Sequence, residues 1–124
     1  MSPEYNFGLP GGVKNAIDYL YNEWIGKPVL IVTYGIAGGS NSSENLKKTL
    51  EGMKLRVVET RPQLPYAGPG MEEMFAAAGA GKVGSKTLEL WEGEGKESLL
   101  KGWGELVGLL ETPPATVEEP AKGE

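Results

Sequence analysis

The chain has 124 residues and contains neither histidine nor cysteine. Thiolate nucleophiles, Ser-His and Cys-His triads, disulfides and imidazole-held metals are thereby excluded, and neither a catalytic side chain nor a metal ligand set is expected. Chemistry is left to carboxylates, or to turns whose backbone closely approaches a ligand that carries its own reactivity. Two stretches have that character. Ser2-Pro3-Glu4-Tyr5-Asn6 reads as a loop leaving the end of a buried strand, and Gly35-Ile-Ala-Gly-Gly-Ser-Asn-Ser42 is a glycine-rich loop. A parallel strand feeding such a loop and a capped helix presents free N–H groups to an anion. The second loop matches neither G-x-G-x-x-G nor G-x-x-x-x-G-K-[ST], and a bare strand-to-helix connection accounts for it equally well.

The elements that must position these loops follow from apolar spacing. Val13, Ile17, Leu20, Tyr21 and Trp24 recur at the helical period and predict a helix over Gly11–Trp24, closed by Gly26 and Pro28. The β-branched run from Pro28 to Tyr34 predicts a parallel central strand covered on both faces. Ser42 or Ser43 is the expected cap of a helix from Glu44 to Met53, with Leu46, Leu50 and Met53 inward. A second strand is expected over Lys54–Thr60. This alternation defines an α/β class with helices covering a parallel sheet. Further on, helices are expected at Met71–Ala80 and Ser85–Trp91, the latter interrupted by Gly93 and Gly95. An amphipathic helix, Lys96–Glu111, follows, with Leu99, Trp103, Leu106, Val107 and Leu110 on its packing side.

Composition bounds the rest. The length suits one small domain over residues 1–111, and the proline-rich, aliphatic-poor residues 112–124 predict a disordered tail. A net charge of -5 with no basic stripe argues against nucleic acid as a partner. No signal-like start and no long apolar run are visible, which points to a protein without membrane spans, in the cytoplasm.

Ser2-Pro3-Glu4-Tyr5-Asn6, Pro10, Lys14-Asn15-Ala16-Ile17-Asp18-Tyr19, Gly26-Lys27-Pro28-Val29 and Tyr34-Gly35 with Gly38-Gly39, in this order, resemble the NADPH-dependent FMN reductase family of flavodoxin-like proteins. The likeness is dense from Ser2 to about Leu64, and the later helices are similar to the C-terminal region of fungal members. It implies a flavodoxin-like three-layer sandwich. It also implies that Pro3, Glu4, Tyr5 and Asn6 wrap the flavin ring on one side, with Tyr34, Gly35, Ala37, Gly38 and Gly39 opposite. FMN and NADPH are then the cofactor and reductant, and hydride passes through the flavin to a quinone or similar acceptor. Dimers or tetramers of one chain are implied as well. Lys14, Asn15 and Asp18 also match, although polar residues on a helix are usually a solvated face.

The family pattern places a G-S-x-R-x-x-S phosphate loop and three strands up to the P-E-Y-N loop, so this chain is expected to hold only the C-terminal half, with equivalents of the fourth and fifth strands. That arrangement leaves the Val29–Val32 edge uncovered and removes the phosphate anchor of the flavin. A non-catalytic chain that binds no FMN alone and associates with relatives is therefore the alternative. The exposed edge and the surfaces of Trp24, Trp91 and Trp103 would serve that association.

Overall fold

A computed structural model describes residues 1–115. In it β1 (Ser2–Pro3) is followed by α1 (Gly11–Asp18), a 3-10 turn (Asn22–Trp24), β2 (Pro28–Val29), β3 (Thr33–Gly35) and α2 (Ser40–Gly52). Then come β4 (Arg56–Val57), β5 (Gln63–Pro65), α3 (Glu72–Ala80), α4 (Ser85–Leu90), a π-helical turn (Trp91–Gly95) and α5 (Lys96–Glu111). All strand pairs are parallel: β3 lies between β1 and β5, and β2 pairs with β4.

The apolar run from Pro28 is extended, but it divides into two ladders. Pro28 and Val29 face Arg56 and Val57, whereas Thr33 to Gly35 face Gln63 to Pro65, so the partner segment gains two residues between the ladders. Pro62 sits at the junction. It has no N–H to donate, and its carbonyl accepts instead from Thr33 N at 3.0 Å. The expected single strand over Lys54–Thr60 is thus shorter, and the strand Gln63–Pro65 was not foreseen. Ser2 and Pro3 add a further strand against Thr33 and Tyr34, where only two strands were anticipated.

Successive residues of an extended segment point to opposite faces. Ile31 joins Ile17 of α1, Leu46 and Leu50 of α2 and Leu55 in a buried cluster, supported by Leu9, Val13, Trp24, Val29, Met53 and Val57. Full burial of each such aliphatic side chain stabilises by about 1.5–3 kcal/mol. Leu30 faces the other way, onto Gly102 of α5. Helices therefore cover both faces, as a flavodoxin-like layering requires.

Three helical expectations are corrected. The first helix ends at Asp18 rather than Trp24: Tyr21 leaves helical geometry at φ -135, and Trp24 returns as a separate turn whose indole N–H donates to Ile17 O at 3.2 Å. Leu20 and Tyr21 stand exposed. Gly93 and Gly95 do not break the chain, which passes through them as a π turn into α5. Gly95 is needed there, since a Cβ would lie 2.8 Å from Leu64 Cδ2. On α5 the buried contact is Gly102, where a Cβ would meet Leu30 Cδ1 at 2.7 Å, while Trp103 is 58% and Leu110 64% exposed. A residue without a side chain brings this helix closest, and of the expected stripe only Leu106 and Val107 are half-buried. Of the three tryptophans only Trp103 presents a largely exposed surface; Trp24 and Trp91 are partly buried, with their N–H groups engaged.

The expected tail begins with residues tied to the fold. Arg56 donates to Thr112 O at 2.7 Å and to Gly26 O at 2.9 Å. The rest of the expected tail, residues 116–124, lies outside the described residues.

Candidate functional site

Parallel pairing sets Pro3 beside Tyr34, so the loop that follows each strand opens at the same end of the sheet. Beyond Pro3 the chain makes a two-residue hairpin: Tyr5 and Gly8 exchange hydrogen bonds of 3.1 Å, with Asn6 and Phe7 at φ 49 and 64 between them. Positive φ at both central positions is the turn that suits hairpins, and asparagine accepts it readily. For Phe7 it costs about 1–2 kcal/mol, and its ring gains no burial there at 85% exposure.

Beyond Tyr34, Gly38 and Gly39 both stand at φ 75. Their backbones lie on the sheet itself: a Cβ on Gly38 would be 2.9 Å from Gln63 Cβ, and one on Gly39 2.8 Å from Thr33 Cβ. The buried Thr33 hydroxyl donates to Gly38 O at 2.8 Å. This turn delivers the chain directly into α2, which starts at Ser40 with Gly39 as its cap, earlier than the expected Glu44. Ser42 and Ser43 are buried inside the helix and do not cap it. The cap comes from the other loop. Glu4 Oε1 accepts from Ser42 N at 3.0 Å, and Asn41 Nδ2 donates to Glu4 Oε2 at 3.4 Å. The helix N-terminus read as an anion site is thus filled by the protein's own carboxylate.

The two loops form one side of a cleft of about 440 Å³, lined by Pro3, Glu4, Tyr5, Tyr34 and Gly35. Of the other proposed contacts, Asn6 is at the exposed hairpin tip, Ala37 is exposed, and Gly38 and Gly39 are buried under the turn; none of these four lines the cleft. The opposite wall was missed by sequence reasoning. It comprises Tyr66, then Met74, Ala77 and Ala78 of α3, and Gly81, Lys82 and Val83 beyond it.

That wall is anchored from below. Tyr66 N donates to Gly35 O at 3.2 Å, and its ring lies 5.8 Å from that of Trp91 at a 47° tilt. Trp91 in turn donates to Pro65 O at 2.7 Å. The wholly buried Thr87 donates to Glu73 Oε2 at 2.7 Å and accepts from Ala67 N at 3.0 Å, tying α3, α4 and the loop after β5 together. Partial burial raises the Tyr34 phenol above its usual range, with Tyr5 and Tyr66 adding to the effect. At neutral pH it therefore stays a hydrogen-bond donor. The lining is mainly apolar and aromatic, with two charged groups, Glu4 and Lys82, and its volume falls within the roughly 300–1,000 Å³ of small-molecule sites. Among the described residues no group of three or more metal-ligating side chains gathers.

A sequence profile of the NADPH-dependent FMN reductase family matches residues 1–67, the segment that builds both loops and the three-stranded sheet. The chain belongs to that family. Over 113 residues it is 44% identical to the NAD(P)H-dependent FMN reductase ntnL of Nectria sp, a match covering 90% of this chain and 55% of the relative. It is 50% identical to the NAD(P)H-dependent FMN reductase LOT6 of Saccharomyces cerevisiae over 58 residues, 47% of this chain and 30% of the relative. It is also 45% identical to a quinone reductase of Escherichia coli K12 over 56 residues, 40% of this chain and 30% of the relative. The chain spans about half the length, or less, of the curated relatives it matches. The family profile spans the first wall of the cleft, and the ntnL match, over 113 residues, extends beyond it.

Proposed function

We propose that this chain forms the ring-binding part of an NAD(P)H-dependent FMN reductase, in which the flavin ring lies between the Pro3–Tyr5 loop and the Tyr34–Gly35 turn. The observation that carries this reading is that two loops far apart in sequence are registered side by side by β1 and β3 and line one aromatic cleft. The residues fit a flat ring. Gly35 lets the backbone approach, Pro3 limits loop motion, and Tyr5, Tyr34 and Tyr66 offer aromatic faces or edges with phenol donors.

FMN, when bound, supplies hydride acceptance from NADPH and transfer to a quinone or similar acceptor. The protein's task is placement. Glu4 does not reach for the ligand in this reading; it fastens its own loop to α2, fixing the distance between the two ring-flanking segments. Asn6, Ala37, Gly38 and Gly39 act through the shape of their turns. The Trp91–Tyr66 contact sets the wall opposite, and the apolar side of α3 excludes water from the ring.

The phosphate end of the flavin is a separate matter. A G-S-x-R-x-x-S loop does not occur in these 124 residues, and the loop after β3 is occupied by Glu4. The reading is that these residues correspond to the C-terminal half of the relatives' fold, where the family pattern has no phosphate loop. Charge-assisted phosphate contacts are worth about 1.5–3 kcal/mol each, so ring binding by this chain alone is weak. A dimer or tetramer and a cytoplasmic setting complete the proposal; among the described residues no helix is long and apolar enough to cross a membrane.

A second reading is favoured by exposed Trp103 and Leu110 on α5 and by β2 (Pro28–Val29), which pairs on one side only among the described residues; of the edge expected over Val29–Val32, Ile31 is buried in the core and Val32 O accepts from Ser2 N at 2.9 Å. In it the chain binds no FMN alone and associates with longer relatives. The purified chain, titrated with FMN while flavin fluorescence and NADPH oxidation with a quinone are followed, separates the two. Saturable quenching with turnover supports the reductase. Unquenched FMN and a defined oligomer would establish the second reading.

A further inference from the structure

The cleft holds two charged side chains, Glu4 and Lys82, and they differ in what they are free to do. Both carboxylate oxygens of Glu4 are engaged by α2, one by Ser42 N and the other by Asn41. Lys82 forms no ion pair or side-chain hydrogen bond among the described residues, whereas Lys14 and Arg61 each have a carboxylate partner. The other lining groups are uncharged at neutral pH: three tyrosines, Pro3, Gly35, Met74, Ala77, Ala78, Gly81 and Val83. They can hold a flat ring but cannot distinguish a phosphorylated ring system from its unphosphorylated parent.

The segment carrying Lys82 is fixed at both ends. Gly81 closes α3 in left-handed geometry at φ 66, with its N–H donating to Ala77 O at 2.8 Å. On the other side Gly84 packs against the Glu73 carboxylate that also holds Thr87. The backbone thus keeps this cation beside the cleft instead of leaving it on a long free loop. On a chain of net charge -5 such a placed cation is the local attraction that a phosphate dianion would meet.

We infer that Lys82 recognises a phosphate monoester on the nucleotide whose ring enters the tyrosine-lined cleft, and so selects phosphorylated over unphosphorylated forms. This rests on the nucleotide-binding reading given above. The phosphate has two possible sources, the terminal phosphate of FMN or the additional phosphate that distinguishes NADPH from NADH.

The test compares the full chain with Lys82→Met, which keeps the stem, and Lys82→Arg, which keeps the charge. Dissociation constants are measured by ligand fluorescence for FMN against riboflavin and NADPH against NADH. Lys82→Met should weaken the phosphorylated member of one pair by about tenfold and leave its parent unchanged, with Lys82→Arg restoring most of the loss. The loss should shrink at high salt. A loss confined to FMN assigns the flavin phosphate, and one confined to NADPH assigns the dinucleotide; either supports Lys82. Equal ratios in wild type and Lys82→Met for both pairs overturn the role of Lys82 while leaving ring binding intact. Failure of all four ligands to bind the wild-type chain overturns the nucleotide reading, and the role of Lys82 with it.

Discussion

Replacing Glu4 by alanine asks whether this residue serves the ligand or the fold. In the structure its carboxylate caps α2, accepting from Ser42 N at 3.0 Å and from Asn41 at 3.4 Å. Loss of a helix cap costs about 0.5–2 kcal/mol, and a carboxylate near a helix N-terminus adds about 0.3–1 kcal/mol through the dipole. The Asn41 contact is long and adds little. Because Glu4 is half-buried, its removal also leaves Ser42 N with less access to water than a surface group would have. A destabilisation of about 1–2 kcal/mol is expected, a factor of roughly 5–30 in the folded-to-unfolded ratio. Glu4→Gln, which keeps an acceptor but loses the charge, should fall between wild type and Glu4→Ala. Urea unfolding followed by tryptophan fluorescence reads both, and the midpoint should shift without a change in slope. An unchanged midpoint in Glu4→Ala together with abolished flavin binding would refute the reasoning, for Glu4 would then be a ligand contact and not a cap.

The glycine turn gives a second expectation: Gly39→Ala meets both a φ of 75 and a Cβ placed 2.8 Å from Thr33 Cβ, so it should destabilise by about 2 kcal/mol or more. Gly12→Ala, at a helical position with open space, should instead stabilise by about 0.5–1 kcal/mol, and the same urea titration checks both. Arg61 lowers the Glu44 carboxyl through a hydrogen bond and its charge, so the pair's contribution is present above the ordinary carboxylate range and is lost as pH falls through the lowered Glu44 value. The stability difference between wild type and Arg61→Met should accordingly narrow in acid to what the Arg61–Ser43 hydrogen bond supplies, and carbon NMR should show Glu44 titrating at higher pH in the variant. A difference that widens in acid would contradict the assignment.

Much of the sheet side was legible because local pattern and tertiary role coincide there. The β-branched run after Pro28 is extended, and the Pro3 and Gly35 turns line one cleft, because short parallel strands leave their following loops little choice of end. The cap of α2 was not legible. Serines near a helix start are good local caps, but a carboxylate from a distant loop competes for the same N–H groups, and only tertiary placement decides the winner. The face of α5 was misread for a related reason. Apolar spacing finds the greasy side of a helix, whereas close approach to Leu30 needs the absence of a side chain at Gly102, which carries no hydropathy signal. The opposite cleft wall escaped because α3 is built largely of alanine and glycine, whose periodicity marks no face, and Lys82 has no motif around it.

A π turn holds one residue more than an α turn, so everything downstream of Trp91–Gly95 is rotated by about 100° relative to an uninterrupted helix from Ser85. The glycines at 93 and 95 thus work as an angular offset: α4 can direct Thr87 toward the cleft wall while α5 turns Gly102 onto the sheet. Excising one residue from that widened turn would swing Leu99, Trp103 and Leu110 around the axis and set the two halves of the rod competing for one orientation. The irregular stretch is the gearing that lets a single rod serve two surfaces.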